Sequence, residues 1–190
     1  MDIAGAIAGL AFIAPFAPFI ALAIKLETPG PAIVGLERVS NGKVFHLYKF
    51  RSMIEGAHKE KSSFAHLNER DGSFFKIRND PRVTRVGRII RRLRIDEFPQ
   101  LWNVLVGDIA LVGPRPHEPR EVVAYPPHYK HLILAKAGAT GLSQVSGASS
   151  LPFLRELELD DYYVRHTNTT LDLKILTKTA GVLFSDPNAV

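Results

Sequence analysis

Between Ile3 and Ile24 the chain carries 22 consecutive residues without a charge, IAGAIAGLAFIAPFAPFIALAI. At about 1.5 Å per residue, a continuous helix of that length covers the ~30 Å of a bilayer's hydrocarbon. Pro15 and Pro18 interrupt it. Each proline removes a backbone donor and its ring clashes with the preceding turn, so a bend is expected there. A helix from Ile3 to Ala14 rises only about 18 Å, and a bend at Pro15 can return the chain to the face it entered. The expectation is a re-entrant helix-kink-helix, in which the carbonyls opened by the bend must find partners within the protein. A kinked span and a buried helix of a soluble protein are the alternatives the sequence leaves open. A cleaved signal peptide is poorly supported: the start is Met1-Asp2, with no basic leader and no small-residue cleavage site. Lys25, Arg38, Lys43, Lys49 and Arg51 follow the segment, so the positive-inside tendency puts the following domain in the cytoplasm.

The remaining chain is of a different material. Residues 1–24 contain only Asp2 among the 19 acids and none of the 24 basic residues, and the whole chain carries a net +5. A basic balance favours polyanionic partners: nucleic acid, phosphorylated small molecules or an anionic leaflet. The absence of cysteine excludes disulfides, thiolate nucleophiles and Cys-based metal sites, and agrees with a reducing compartment. With 190 residues the chain is expected to form one domain or a small core with an appendage. It divides into a hydrophobic arm at 1–27 and a cytoplasmic domain at 28–190.

Thr28-Pro29-Gly30-Pro31 cannot continue a helix and reads as the exit turn of the arm. Asn41-Gly42 between the β-prone runs 32–36 and 44–50 predicts a hairpin, with Phe45, Leu47, Lys49 and Arg51 on one face. Residues 55–73 show no clear period and predict a helix fragment followed by a mobile loop. Val83, Val86, Ile89, Ile90 and Leu93 recur at three- and four-residue spacing, which marks an amphipathic helix whose other face is nearly all arginine. A short helix is expected from Pro99 to Gly107, then helical stretches near 119–125, 128–135, 151–165 and 171–184, with a glycine-rich turn at 138–147. The last helix suits either the lipid interface or ordinary core packing. The fold class expected is α+β: mostly helical, with a small β-hairpin sheet and the membrane arm packed against it.

Eight basic residues lie between Lys76 and Arg94 against the single acid Asp80, and Asp96-Glu97 follows at once. Such a run serves equally as a solvated or headgroup-facing surface or as a phosphate cradle, since arginine grips phosphate oxygens bidentately. An acid pair ahead of a helix is commonly a cap. Beside cations it also stays ionised, ready to bind a divalent cation or to attack phosphorus. The seven histidines form no metal-protease pattern, and no Walker, dinucleotide or serine-hydrolase motif occurs. Tyr162-Tyr163 reads as packing rather than base stacking.

Taken in order, the arm with Pro15, Thr28-Pro29-Gly30-Pro31, Glu37-Arg38, Tyr48–Met53, Lys76–Arg82, Asp96-Glu97-Phe98-Pro99-Gln100-Leu101-Trp102-Asn103, Gly113-Pro114-Arg115-Pro116, Thr140-Gly141, Gln144-Val145-Ser146-Gly147 and Tyr162-Tyr163 resemble the monotopic phosphoglycosyl transferases of the bacterial sugar transferase family. The resemblance covers essentially the whole chain. It implies transfer of a sugar 1-phosphate from a UDP-sugar to a polyprenyl phosphate, usually undecaprenyl phosphate, with release of UMP at the cytoplasmic face of the bacterial inner membrane. It makes Asp96 the nucleophile of a covalent phosphosugar intermediate, Glu97 its partner acid, and both the ligands of Mg²⁺. Lys49, Arg51, Arg88, Arg91, Arg92 and Arg115 are the phosphate-binding candidates; for each a salt-bridge or interfacial role stays open. Pro114, Pro116 and Gln144 are candidates for the substrate loop, and Pro15 and Pro18 for the membrane bend. Nucleic acid is not an expected partner, and homo-oligomer formation is left open.

The chain departs from the family pattern at several places. Ala14 stands where serine is common before the kinking proline, Ala148 where arginine is usual, and Ala137, Ala139 and Ser143 replace a proline, an aliphatic residue and often a tryptophan. Basic residues that usually precede the arm are absent, so an upstream segment is expected. A basic, membrane-tethered binding module and a degenerate transferase scaffold are the competing readings, the latter motivated by Ala148.

Overall fold

The computed structural model describes residues 1–58, 60–147 and 150–185; Ala148 lies outside them. Helix α1 (Asp2–Ile13) and helix α2 (Ala17–Glu27) are bent by 61° across Ala14–Phe16. Neither alone is long and apolar enough to cross a membrane. The two prolines act differently. Pro15 lies in the turn itself, which closes by Phe16 N–H donating to the Ile13 carbonyl at 3.0 Å. Pro18 sits in the first turn of α2, where a missing N–H leaves no intrahelical bond unmade.

The arm is docked on the polar part along one face of small residues. A Cβ on Gly5 would collide with the Leu111 side chain and one on Gly9 with that of Leu101, so these glycines let α1 lie close. Ala6 is fully buried in the main core with Leu47, Val104, Ile109, Leu111, Tyr163 and Ile175. Farther along, Ile13 and Ile24 pack with Ala32, Phe50 and Ile90. The opposite face of the arm presents Ile3, Ile7, Phe12, Phe16, Phe19, Leu22 and Leu26, with Phe19 72% and Leu26 79% exposed.

The hairpin forms as expected. Strand β1 (Ile33–Ser40) pairs antiparallel with β2 (Lys43–Phe50), Ser40 opposite Lys43 and Ile33 opposite Phe50. Asn41 and Gly42 take φ of 50° and 70°, the pair of left-handed residues whose turn matches the strand twist. Of the face expected to carry Phe45, Leu47 and Lys49, Leu47 is buried and the other two half-buried. The stretch 55–73 contains a 3₁₀ segment, Lys61–Leu67.

Helix α3 (Arg85–Arg92) begins on Thr84, whose hydroxyl accepts from Gly87 N–H at 2.8 Å. The Glu27 carboxylate at the end of α2 takes the next free donors, Arg85 and Val86 N–H, at 2.7 and 2.8 Å. Arg94, at φ 52°, then turns the chain into the 3₁₀ segment Ile95–Glu97 and helix α4 (Gln100–Val106). The α4 helix ends on Gly107 at φ 91°, a left-handed cap that glycine adopts without strain.

The glycine-rich stretch at 138–147 is not only a turn. Strand β4 (Gly138–Thr140) pairs in parallel with β3 (Ala110–Val112), a second sheet that lacks any local sequence signal. Helices α5 (Pro119–Val123), α6 (Leu142–Val145), α7 (Phe153–His166) and α8 (Thr169–Ser185), with a 3₁₀ segment Pro127–Leu134, complete the mixed, mostly helical fold. Tyr163 is buried, whereas Tyr162 is exposed and stacks on His166 at 4.2 Å.

Candidate active site

One element fixes the acid pair relative to the hairpin. Asn103 on α4 is fully buried, accepts Tyr48 N–H at 3.0 Å and donates to the His46 carbonyl and the Asp108 carboxylate at 2.8 and 2.9 Å. The two bonds to Tyr48 and His46 staple α4 to the edge of β2, so Lys49 near the end of β2 meets the segment that precedes α4. Its ammonium donates to Glu97 Oε1 at 2.6 Å. Gly87 provides the other close approach, since a Cβ there would run into the Ser52 carbonyl. One turn later Arg91 Nε donates to Ser52 Oγ at 2.8 Å.

Lys49, Arg91, Arg94, Asp96, Glu97 and Arg115 share the wall of a cleft of about 560 Å³. Farther around the same cleft stand Arg38, Lys61 and Glu118, with Lys61 Nζ donating to Glu118 Oε2 at 2.7 Å. A cleft of that size suits a small-molecule ligand.

Within the acid pair the two carboxyls are driven apart. Burial pushes Asp96 above the ordinary carboxylate range; Lys49 and Arg91 oppose that rise and Glu97 adds to it. Burial raises Glu97 as well, but Lys49, Arg115 and Arg94 outweigh it and hold the carboxyl below that range. Adjacent like charges separate in this way when one has a cation to itself. Glu97 is therefore a clamped anion, and Asp96 is a buried carboxyl with cations near it.

Among the described residues no three His, Asp or Glu side chains converge as a protein-only metal cage. Mg²⁺ commonly uses one or two carboxylates, leaving the rest of its octahedron to water and substrate phosphates. Asp96 and the second oxygen of Glu97 fit that donor set.

The structure sorts the remaining candidates. Arg115 lines the cleft between two acids, depressing Glu97 and lying 3.7 Å from Glu156. Pro116 lines it too, whereas Pro114 is buried against a small internal cavity. Arg51 lines the cleft as well, and its buried guanidinium donates to the carbonyls of Thr28, at 2.9 Å, and Pro29 at the exit of the arm. Arg88 and Arg92 are exposed and do not line the cleft, because the burial of Gly87 and Ile90 sets the phase of α3 and turns Arg91 alone inward. Gln144, also absent from the cleft, donates to the Ala139 carbonyl at 3.2 Å.

Several cleft residues are not singled out individually by the sequence. Arg94 follows from no periodicity, since its left-handed turn redirects it. Arg82 forms a buried pair with Asp80 at 2.6 Å and donates to the Ala57 carbonyl at 2.9 Å, tying down the 55–77 stretch. Arg70, His117 and Glu156 also line the cleft; acids at 156 and 160 on the apolar stripe of α7 were a readable signal for the last.

The profile described as bacterial sugar transferase matches residues 1–186. The chain belongs to that family. It is 42% identical over 162 residues to an undecaprenyl-phosphate galactose phosphotransferase of Salmonella typhimurium, covering 81% of this chain and 33% of that protein. It is 40% identical over 185 residues to a galactosyl transferase of Streptococcus agalactiae, covering 96% and 41%. A UDP-N-acetylgalactosamine-undecaprenyl-phosphate N-acetylgalactosaminephosphotransferase of Aeromonas hydrophila is 38% identical over 196 residues, covering 97% and 43%. The chain thus spans less than half the length of each of these three relatives.

Proposed function

We propose that this chain is the catalytic part of a transferase that moves a sugar 1-phosphate from a UDP-sugar to undecaprenyl phosphate, initiating assembly of a bacterial polysaccharide or glycoconjugate. The observation that carries this reading is the buried Asp96 carboxyl beside the ion-paired Glu97 on the wall of a large cationic cleft. The names of the relatives, two of which specify undecaprenyl phosphate, support the acceptor.

In this mechanism Lys49, Arg91, Arg94 and Arg115 draw the diphosphate into the cleft and offset its charge. An Asp96 oxygen attacks the phosphorus that bears the sugar. The bond from that phosphorus to the bridging oxygen breaks, and the oxygen leaves with its electron pair as part of UMP. A phosphate oxygen of the lipid then attacks the same phosphorus, the acyl–phosphate bond breaks, and Asp96 returns as carboxylate. Neither step consumes a proton. Mg²⁺ held by Asp96 and Glu97 would supply positive charge at the phosphate oxygens. Arg91, fixed on Ser52, and Lys49, fixed on Glu97, are already in place, so little reorganisation accompanies the charge that develops.

The arm belongs to the same reading: residues 1–27 form a re-entrant membrane element and 28–190 a catalytic domain on the cytoplasmic face of the inner membrane. The row of exposed apolar side chains on α1 and α2 would sit in lipid, with exposed Trp102 and Val106 on the neighbouring α4 adding to the apolar surface. That position brings the cleft to the height of lipid phosphates. Asp96→Asn tests the chemistry. It should bind UDP as the unaltered chain does while losing Mg²⁺-dependent UMP release by at least about a thousandfold. Turnover retained by this variant would remove Asp96 as nucleophile.

A further inference from the structure

The loop Gly113–Pro116 is held with unusual completeness up to the side chain of Arg115. Gly113 N–H donates to the Thr140 carbonyl at 2.9 Å, and the Pro114 carbonyl accepts Gly138 N–H at 2.8 Å, so the loop is pinned to the parallel sheet from both directions. Gly113 lies so close to residues 136–138 that a Cβ would meet the Lys136 carbonyl oxygen at 2.7 Å. Pro116 restricts the backbone of Arg115 to extended conformations. Arg115 N–H itself donates to Asp160 Oδ2 at 3.2 Å. Only the side-chain torsions of Arg115 remain to be set.

Glu156, one helical turn before Asp160 on α7, faces that side chain. It is 1% exposed, hydrogen-bonds with Arg70 at 2.9 Å and His117 Nε2 at 3.1 Å, and has Arg115 Nε as a looser ion-pair neighbour at 3.7 Å. His117 is held in turn by the Tyr125 hydroxyl on its other ring nitrogen. Arg70 and His117 are both buried, so they fix the carboxylate, whereas Arg115 is 38% exposed and approaches beyond hydrogen-bonding distance. A fixed anion at that distance orients a guanidinium without consuming its donors. It also stays satisfied when the guanidinium turns toward a phosphate.

We infer that Glu156 is a positioning residue that aims Arg115 at the diphosphate of the donor, with Asp160 holding the Arg115 backbone from the same helix face. Glu156 acts through Arg115 and touches no substrate atom. This rests on the transferase reading for the identity of the anion, but the pairing of Glu156 with Arg115 does not.

A double-mutant cycle decides it, using Glu156→Gln and Arg115→Ala in the full chain. The readouts are KM and kcat for UDP-sugar, and the Kd for inorganic pyrophosphate. Glu156→Gln alone should raise KM and the pyrophosphate Kd by about tenfold while leaving kcat within about threefold. In the Arg115→Ala background it should add less than about twofold, as expected for two groups that act as a unit. Glu156→Asp, which keeps the charge, should recover part of the loss. Equal losses in both backgrounds, or a fall in kcat with KM unmoved, overturn the inference. If Glu156→Gln does not fold, the same cycle run with Glu156→Asp decides the matter by the same criterion. A chain that turns over no UDP-sugar yet shows the pyrophosphate coupling keeps the positioning role and sinks the proposed reaction; one without the coupling sinks the positioning role whatever its activity.

Discussion

Asp160→Asn is a change that should stabilise this protein at neutral pH and do nothing at acid pH. Asp160 is 2% exposed, and its Oδ2 accepts Arg115 N–H at 3.2 Å. Burial pushes its carboxyl up to about 7 from 3.8, with the Glu156 anion adding to the rise and Ser143 and Arg115 opposing it. In the unfolded chain the group loses its proton near pH 4, whereas in the fold it keeps it until about pH 7. Between those values the folded state binds more protons than the unfolded one, so stability falls as pH rises and levels off above about pH 7. Three pH units at about 1.4 kcal/mol each give an upper bound of about 4 kcal/mol. Asparagine keeps the acceptor for Arg115 N–H, cannot ionise, and brings a donor beside the buried Ser143 hydroxyl. Urea unfolding of both chains, at half-unit steps from pH 4 to 8, should therefore show a gap near zero at pH 4 that opens in favour of Asp160→Asn to as much as about 4 kcal/mol at pH 8. A gap independent of pH, or a variant less stable than the unaltered chain at pH 8, would refute the reasoning. It would mean that the carboxylate is ionised in the fold and held by a cation.

Other changes probe the scaffold and the arm. Gly87→Ala pushes a methyl into the Ser52 carbonyl; unfolding experiments should show a loss of about 1–3 kcal/mol, with weaker nucleotide binding as Arg91 leaves Ser52. Asn103→Ala strips the two hydrogen bonds that hold α4 to β2 and the one to Asp108 and should cost about 2–4 kcal/mol in the same assay, since each stranded buried group is expensive. Phe19→Glu combined with Leu26→Glu alters two of the most exposed apolar side chains of the arm. Thermal stability in detergent should change little, while co-sedimentation with liposomes should fall sharply; undiminished sedimentation would argue against the arm as the membrane element.

What was legible in the sequence was local. Asn41-Gly42 specifies a turn by itself, Pro99 and Gly107 bracket α4, and the three- and four-residue spacing from Val83 to Leu93 marks α3. The β3–β4 pair was hidden because its strands are three residues each and their partners lie far apart in sequence; nothing within either window signals the other. For the site, residue type pointed to the acid pair and the family resemblance to Lys49, but charge density alone could not sort the arginines. The apolar spacing could not do so on α3 either: it places Ile89 and Leu93 inward, whereas the structure exposes both and buries Gly87 with Ile90, which brings Arg91 inward and leaves Arg88 and Arg92 out. Arg51 was beyond such reasoning, because its partners are backbone carbonyls of a turn more than 20 residues upstream.

The placement of Arg51 has a mechanical consequence. By gripping the Thr28–Pro29 turn while Glu27 grips the start of α3, the chain converts what would be a hinge into a strut. With the arm anchored as proposed, the elevation of Asp96 above the bilayer is a built-in length rather than a fluctuating one. On that reading, the search for correct alignment falls to the proposed lipid acceptor, whose long hydrocarbon tail leaves its phosphate free to wander laterally until it meets a target that holds still.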